Sequence, residues 1–192
     1  MTVPRPGLER LHFTGDDGAD RLLAADPMAL LVGFLLDQQV TVQKAFSGPL
    51  ELRRRIGTLD PAALLAIDPA ELDSAFRERP ALHRYPSDMA RRTRALAQAL
   101  VDGYAGDAEL VWTGARDAGD LKRRLRELPG MGAMKVDGLM AVLIKRFGLR
   151  PAGWAEVLPQ HPTLGDVDSA EALTRYQQGK RASKAAARST DS

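Results

Sequence analysis

The nine residues Glu127-Leu-Pro-Gly-Met-Gly-Ala-Met-Lys135 hold the groups best suited to chemistry in this chain, and those groups are main-chain amides. Gly130 and Gly132 accept positive φ and leave no side chain over the backbone. Their amides, with those opening the helix that follows, can therefore approach an anion closely, and a helix N-terminus adds favourable partial charge. Lys122, Arg123, Arg124 and Arg126 precede the turn, so a nucleic-acid phosphate is the natural anion. An ordinary helical hairpin, with glycines for tight packing, is the competing reading of the same residues. The turn is not a P-loop, which needs four residues between its glycines and a Lys-Ser/Thr pair. Elsewhere His12, His83 and His161 lack metal-ligand spacing, and no Ser or Cys nucleophile motif appears.

The elements that must position this turn are helices. Of 192 residues, 44% are apolar and only 5% aromatic, with abundant Leu and Ala, which suits a folded chain rich in helix. Alternating or β-branched runs are scarce, and the expected fold class is all-α, in a single domain over residues 1–192. Asp26-Pro27, Asp60-Pro61 and Asp68-Pro69 each read as an N-cap followed by a proline at the first helical position. Thr41 opens a helix to about Ile56 that Gly48-Pro49 could break, and Ser87 is expected to cap a longer one. Leu121, Leu125 and Leu128 stripe a helix over 117–128. Val136, Leu139, Met140, Leu143, Ile144 and Phe147 stripe the next, which Gly148 ends. Residues 150–166 read as loop with at most a turn of helix, and a basic helix and tail fill about 168–192.

Charge and cysteine content narrow the field. The net charge is only +2, but acidic residues prevail before residue 30 and basic clusters follow, an asymmetry compatible with an acidic polymer as partner. Solvated helix faces account equally well for any one cluster. Without cysteine there is no disulfide, thiolate zinc site or cysteine-held iron–sulfur cluster. The longest apolar run, residues 28–36, is too short to cross a bilayer, and no signal-peptide pattern opens the chain, so a cytoplasmic protein without membrane contact is expected.

Two stretches carry a resemblance. LRELPGMGAMKVDGLMAVLIKRFG resembles the helix-hairpin-helix element of the HhH-GPD superfamily of base-excision DNA glycosylases. Upstream, LLVGFLLDQQVTVQKA (30–45) resembles that family's apolar helix ending in a glutamine-bearing turn. The resemblance spans roughly residues 25 to 150. It implies a two-lobed helical fold with damaged double-stranded DNA crossing the cleft, and a protein acting as a monomer, on the nucleoid if the source is bacterial. The amides of Gly130, Gly132, Met134 and Lys135 would hold phosphates. Carbonyls of Arg126, Leu128 and Met131 would hold a monovalent cation, the one cofactor expected. Gln39, with Gln38 beside it, would fill the gap left by a flipped base.

The family's catalytic residues match less well. Many lyase-active relatives place a lysine where this chain has Met134. Lys135 lies one residue on, about 100° round a helix of ~3.6 residues per turn. The reading is therefore monofunctional, with Lys135 a phosphate contact or a surface lysine. The family's Val-Asp-Thr aspartate has a look-alike only in Val167-Asp168-Ser169, displaced along the chain by residues 151–165. Asp168 is the first candidate for the carboxylate, with Asp166 and Glu156 as rivals; Asp168 is equally an ordinary N-cap. A carboxylate would stabilise the positive charge that builds on the sugar as the base departs. The implied function is a base-excision DNA glycosylase that hydrolyses the N-glycosidic bond of a damaged base, such as an alkylated purine. The alternative is a catalytically silent relative that binds distorted DNA. Trp112, Trp154 and Tyr85 could stack on an extrahelical base, though core packing is the commoner fate of each.

Overall fold

The computed structural model describes residues 7–190, of which ten α-helices and one 3-10 turn are the regular elements, with no strand among the described residues. Helices α1 (Asp17–Ala25), α2 (Pro27–Leu36) and α3 (Val42–Ile56) pack together. Helices α4 (Pro61–Ala66), α5 (Pro69–Arg77) and α6 (Pro86–Tyr104) follow. The chain then runs through α7 (Leu110–Thr113), α8 (Ala118–Glu127), α9 (Ala133–Lys145), the 3-10 turn Leu164–Asp166 and α10 (Ala170–Thr190). None of the described helices is long and apolar enough to cross a membrane.

The start signals act as their chemistry dictates. Asp26 accepts from the amides of Met28 and Ala29, Asp60 from Ala63, and Asp68 from Ala70, each before a proline that has no amide to satisfy. Thr41 caps α3 through the Lys44 amide. Two expectations need correction. Ser87 is not a cap: α6 starts at Pro86, and its N-cap residue, Tyr85, makes no side-chain cap bond. Pro49 does not break α3, which continues to Ile56 because buried Phe46, Leu50 and Leu52 hold the helix on both sides of the proline.

One apolar core runs from Leu11 to Leu173. Helix α2 lies at its centre, buried from Met28 to Leu36, which explains why it is apolar all round rather than striped. The hairpin between α8 and α9 leans on the end of this helix. Gly130 sits at φ +78, and a Cβ there would lie 2.3 Å from Leu35 Cδ1. That glycine is needed twice over, for its dihedral and for the contact with α2. A second close approach fixes the 3-10 turn, where a Cβ on Gly165 would lie 2.6 Å from the Ala141 carbonyl of α9. Asp166 is thereby pinned beside the hairpin's second helix.

Most of the basic clusters are consumed by the fold. Asp120, buried on α8, takes ion pairs from Arg123, Arg124 and Arg116; the Arg123 hydrogen bond first, then the Arg116 amide, hold its carboxyl far below the usual range. Lys122 crosses the hairpin to Asp137 at 2.9 Å. Arg94 donates to the carbonyls of Ile67 and Leu65, both at 2.9 Å, and so ties α6 to the α4–α5 corner rather than facing solvent. Arg126 has no ion pair among the described residues, and it stands at the hairpin.

Candidate nucleic-acid interface

The hairpin turn carries an open backbone surface. Gly132 is the N-cap of α9, its φ is −71, and a Cβ on it would meet nothing within 4 Å. No side chain caps α9, so the amides at its start, Met134 and Lys135 among them, have neither an intrahelical acceptor nor a side-chain one. A groove of about 610 Å³ runs beside them, lined by Gln38, Arg92, Arg126, Leu128 and residues 130–135. The Arg126 guanidinium and an uncapped helix N-terminus make this groove anion-attracting, with Arg92 beside them paired to Asp88 at 2.8 Å. Met134 is 82% exposed at its edge.

On the other side of the turn, the last carbonyls of α8 face a different need. Those of a helix's final residues lack intrahelical donors. The Leu128 carbonyl accepts from the Met131 amide at 3.2 Å and keeps a second lone pair. The carbonyls of Arg126, Leu128 and Met131 are neutral oxygens on this side of the turn. No cluster of three His, Asp or Glu that could hold a metal ion exists among the described residues.

The glutamine turn meets this groove from α2. Gln39 has φ +55 and is exposed, a left-handed conformation uncommon for a residue with a side chain. Gln38 turns the other way, with Nε2 3.4 Å from Met89 Sδ. The two neighbouring glutamines thus point their side chains to different surroundings, a division their sequence does not show. What holds the turn is His83, which is 2% exposed. Its Nδ1 accepts from the Tyr85 amide at 3.0 Å, which leaves the proton on Nε2 to donate to the Gln38 carbonyl at 2.9 Å. Tyr85, 44% exposed, donates its hydroxyl to Gln39 Oε1 at 3.3 Å. Trp112, by contrast, is buried, and Trp154 lies under the Arg150 guanidinium at 4.6 Å.

Burial lowers the His83 pKa, against the hydrogen bonds it makes to the Gln38 and Leu36 backbone, and Lys135 and Lys44 add to the lowering. The sign follows. An unfolded chain with an ordinary histidine, near 6.5, binds the proton more readily than the native state. Stability is therefore full above that value and falls as pH drops through it toward the lower native pKa. A thermal melting series from pH 7.5 down to 5.5 is expected to show Tm falling, and His83→Gln to flatten the His-dependent part of that fall. Equal slopes in both proteins would refute the assignment of the neutral tautomer.

Lys135 connects the groove to a larger space. Its Nζ donates to the Leu35 carbonyl at 2.7 Å, satisfying an open acceptor at the C-terminal end of α2. Burial lowers its pKa to about 8, against the attraction of Asp37 and with repulsion from Arg92. Met134 and Lys135 line both the groove and a cavity of about 830 Å³. Phe34 of α2, Asp37 just past its end, Gly138 of α9, residues 161–164, Asp166 and Val167 line this cavity too, and α10 covers it with Ala172, Arg175, Tyr176 and Lys180. Helix α10 is tied back to α3 by reciprocal amide bonds between Gln43 and Gln177, at 3.3 and 2.6 Å.

The three carboxylates singled out from the sequence separate here. Asp166 lines the large cavity. Burial by itself would raise its carboxyl, but hydrogen bonds from Lys145 and from the amide and hydroxyl of Thr163 outweigh this and hold it below the usual carboxylate range. Asp168 lies instead on a separate space of about 310 Å³, with residues 7–12 and Arg146. Glu156 is exposed on the turn that follows Gly153. Asp37 is a fourth carboxylate, facing the cavity from the residue that ends α2. Sequence reading passed over it, although it stands one residue before the glutamine pair.

Helix, hairpin and cavity together define an all-helical protein organised around a helix-hairpin-helix. The model of the HhH-GPD superfamily base excision DNA repair proteins matches residues 32–189, most of the chain, and the chain belongs to that superfamily. Its field is accordingly the base-excision repair of DNA. Neither the curated proteins nor the solved structures compared with it gave a match.

Proposed function

We propose that the chain is a DNA glycosylase that hydrolyses the N-glycosidic bond of a damaged base in duplex DNA. The observation that carries this reading is that Met134 and Lys135 line both the groove and the cavity. A phosphate held at the α9 amides would leave its neighbouring nucleotide able to enter the cavity. Gln39, exposed in a left-handed turn next to the groove-lining Gln38, would fill the vacancy in the stack. Gln38 then supports the turn from inside, and the carbonyls of Arg126, Leu128 and Met131 hold a monovalent cation that braces the hairpin. Asp166, ionised and held by Lys145 and Thr163, takes the carboxylate role in preference to Asp168 and Glu156, because only it of the three faces the cavity. It would stabilise the sugar cation as the base leaves. All these groups lie on one chain, so the monomer acts.

One observation favours a silent DNA-binding relative instead: the Asp166 carboxylate is already ion-paired with Lys145, and this dilutes its field. Single-turnover incubation with duplexes carrying alkylated, deaminated or oxidised bases, read by mass spectrometry, separates the two. Release of a free base with formation of an abasic strand is the expected result. Tight binding with no base released from any duplex would establish the silent reading.

A further inference from the structure

The cavity lining bears on which bases it suits. Phe34 and Tyr176 offer aromatic surfaces for a planar ring. Its charged groups are Lys135, Arg175 and Lys180 against Asp37 and Asp166, three cationic to two anionic. The lining is therefore cationic in balance. Lys135 is the half-buried member of this set, and the bond to the Leu35 carbonyl uses one of its three N–H donors. A donor placed where water is partly excluded acts more strongly on developing charge than one in bulk solvent.

Damaged bases leave the sugar in two chemically different ways. A ring-alkylated purine carries positive charge while still attached and departs as a neutral molecule, so it needs no donor and is repelled by a cationic lining. A neutral base with ring carbonyls, the product of deamination or oxidation, departs with the bonding electron pair. It then carries negative charge spread over ring nitrogen and carbonyl oxygen, and that charge needs a donor.

Resting on the glycosylase reading above, we propose that the cavity takes neutral, carbonyl-bearing bases of the deaminated or oxidised class, with Lys135 as the catalytic donor to the departing base. The C1′–N bond breaks and its electron pair leaves with the base. Lys135 Nζ hydrogen-bonds to the base and gives it a proton, while Asp166 and Asp37 stabilise the positive sugar. Water adds to C1′ and loses a proton to solvent, from which the lysine regains its own. The sum is hydrolysis of the base from the strand, without oxidant or cofactor. A fall in the ammonium pKa through burial keeps that proton easily transferred near neutrality.

The test uses the full chain and two sets of duplexes under single-turnover conditions. One set carries uracil, hypoxanthine or 8-oxoguanine, and the other 7-methylguanine or 3-methyladenine. At least one base of the first set is expected to be released about 10-fold or more faster, relative to its spontaneous loss, than either methylated base. Lys135→Gln keeps a donor for the Leu35 carbonyl and is expected to slow that release about 10-fold or more, with DNA affinity nearly unchanged. Preferential release of methylated bases would overturn this inference and leave the glycosylase reading standing, whether or not the variant folds. A folded Lys135→Gln that releases the first set at the wild-type rate would overturn it equally. No release of any base would remove both.

Discussion

Gly132→Asp is expected to lower affinity for duplex DNA by about 100-fold or more while the melting temperature stays level or rises. Both halves of that result come from one geometry. Gly132 is the N-cap of α9 at φ −71, with open space where a Cβ would go, so the backbone accepts the aspartate without strain. Asp is also among the better N-cap residues, worth a few tenths of a kcal/mol over Gly. Its carboxylate would accept from an amide of the first turn of α9. Those amides are the ones assigned to a phosphate, so the variant occupies the cradle and adds a repelling charge. Several kcal/mol of charge-assisted hydrogen bonding and close approach would be lost at once. Fluorescence anisotropy across a salt series, paired with thermal melting, makes the measurement. Wild-type binding should weaken as a power of salt concentration, because phosphate contacts release counterions. A variant that is folded and binds as the wild type does would take the phosphate role away from the hairpin.

Asp166→Asn is expected to slow base release by about 10²–10³-fold with DNA affinity little changed. The substitution keeps size and an oxygen that can still accept from the Thr163 amide, so the 3-10 turn should hold. It removes the negative charge on which stabilisation of the sugar cation depends. The lost ion pair with Lys145 is part-exposed and worth ~1 kcal/mol at most, too little to unfold the chain. Asp168→Asn is the control, since that side chain lies on a different space, and its release rate is expected to stay within about threefold of wild type. The reverse pattern, with Asp168→Asn inactive and Asp166→Asn active, would restore Val167-Asp168-Ser169 as the equivalent of the family's catalytic element. In that event α10 would have to present Asp168 differently when DNA is bound.

Much of this protein is determined by local chemistry and is legible in the chain alone. Three Asp-Pro caps, the Leu121-Leu125-Leu128 stripe, the apolar periodicity from Val136 and the glycines of the hairpin report interactions within a few residues of each other, where spacing fixes geometry. The family follows from the hairpin and glutamine stretches together. Tertiary structure decided the rest. Basic clusters that look like one surface are split by Asp120, Asp137 and the carbonyls of Leu65 and Ile67 into internal pairs, leaving Arg126 on the groove beside an Arg92 that Asp88 pairs. Which glutamine is exposed depends on His83, forty-five residues away along the chain. Which carboxylate faces the cavity depends on how closely Gly165 packs on Ala141, for a side chain two residues further on emerges on another face. Periodicity carries direction only within one element. Between elements, direction is set by packing, where a contact of a few ångströms joins residues that share no local pattern.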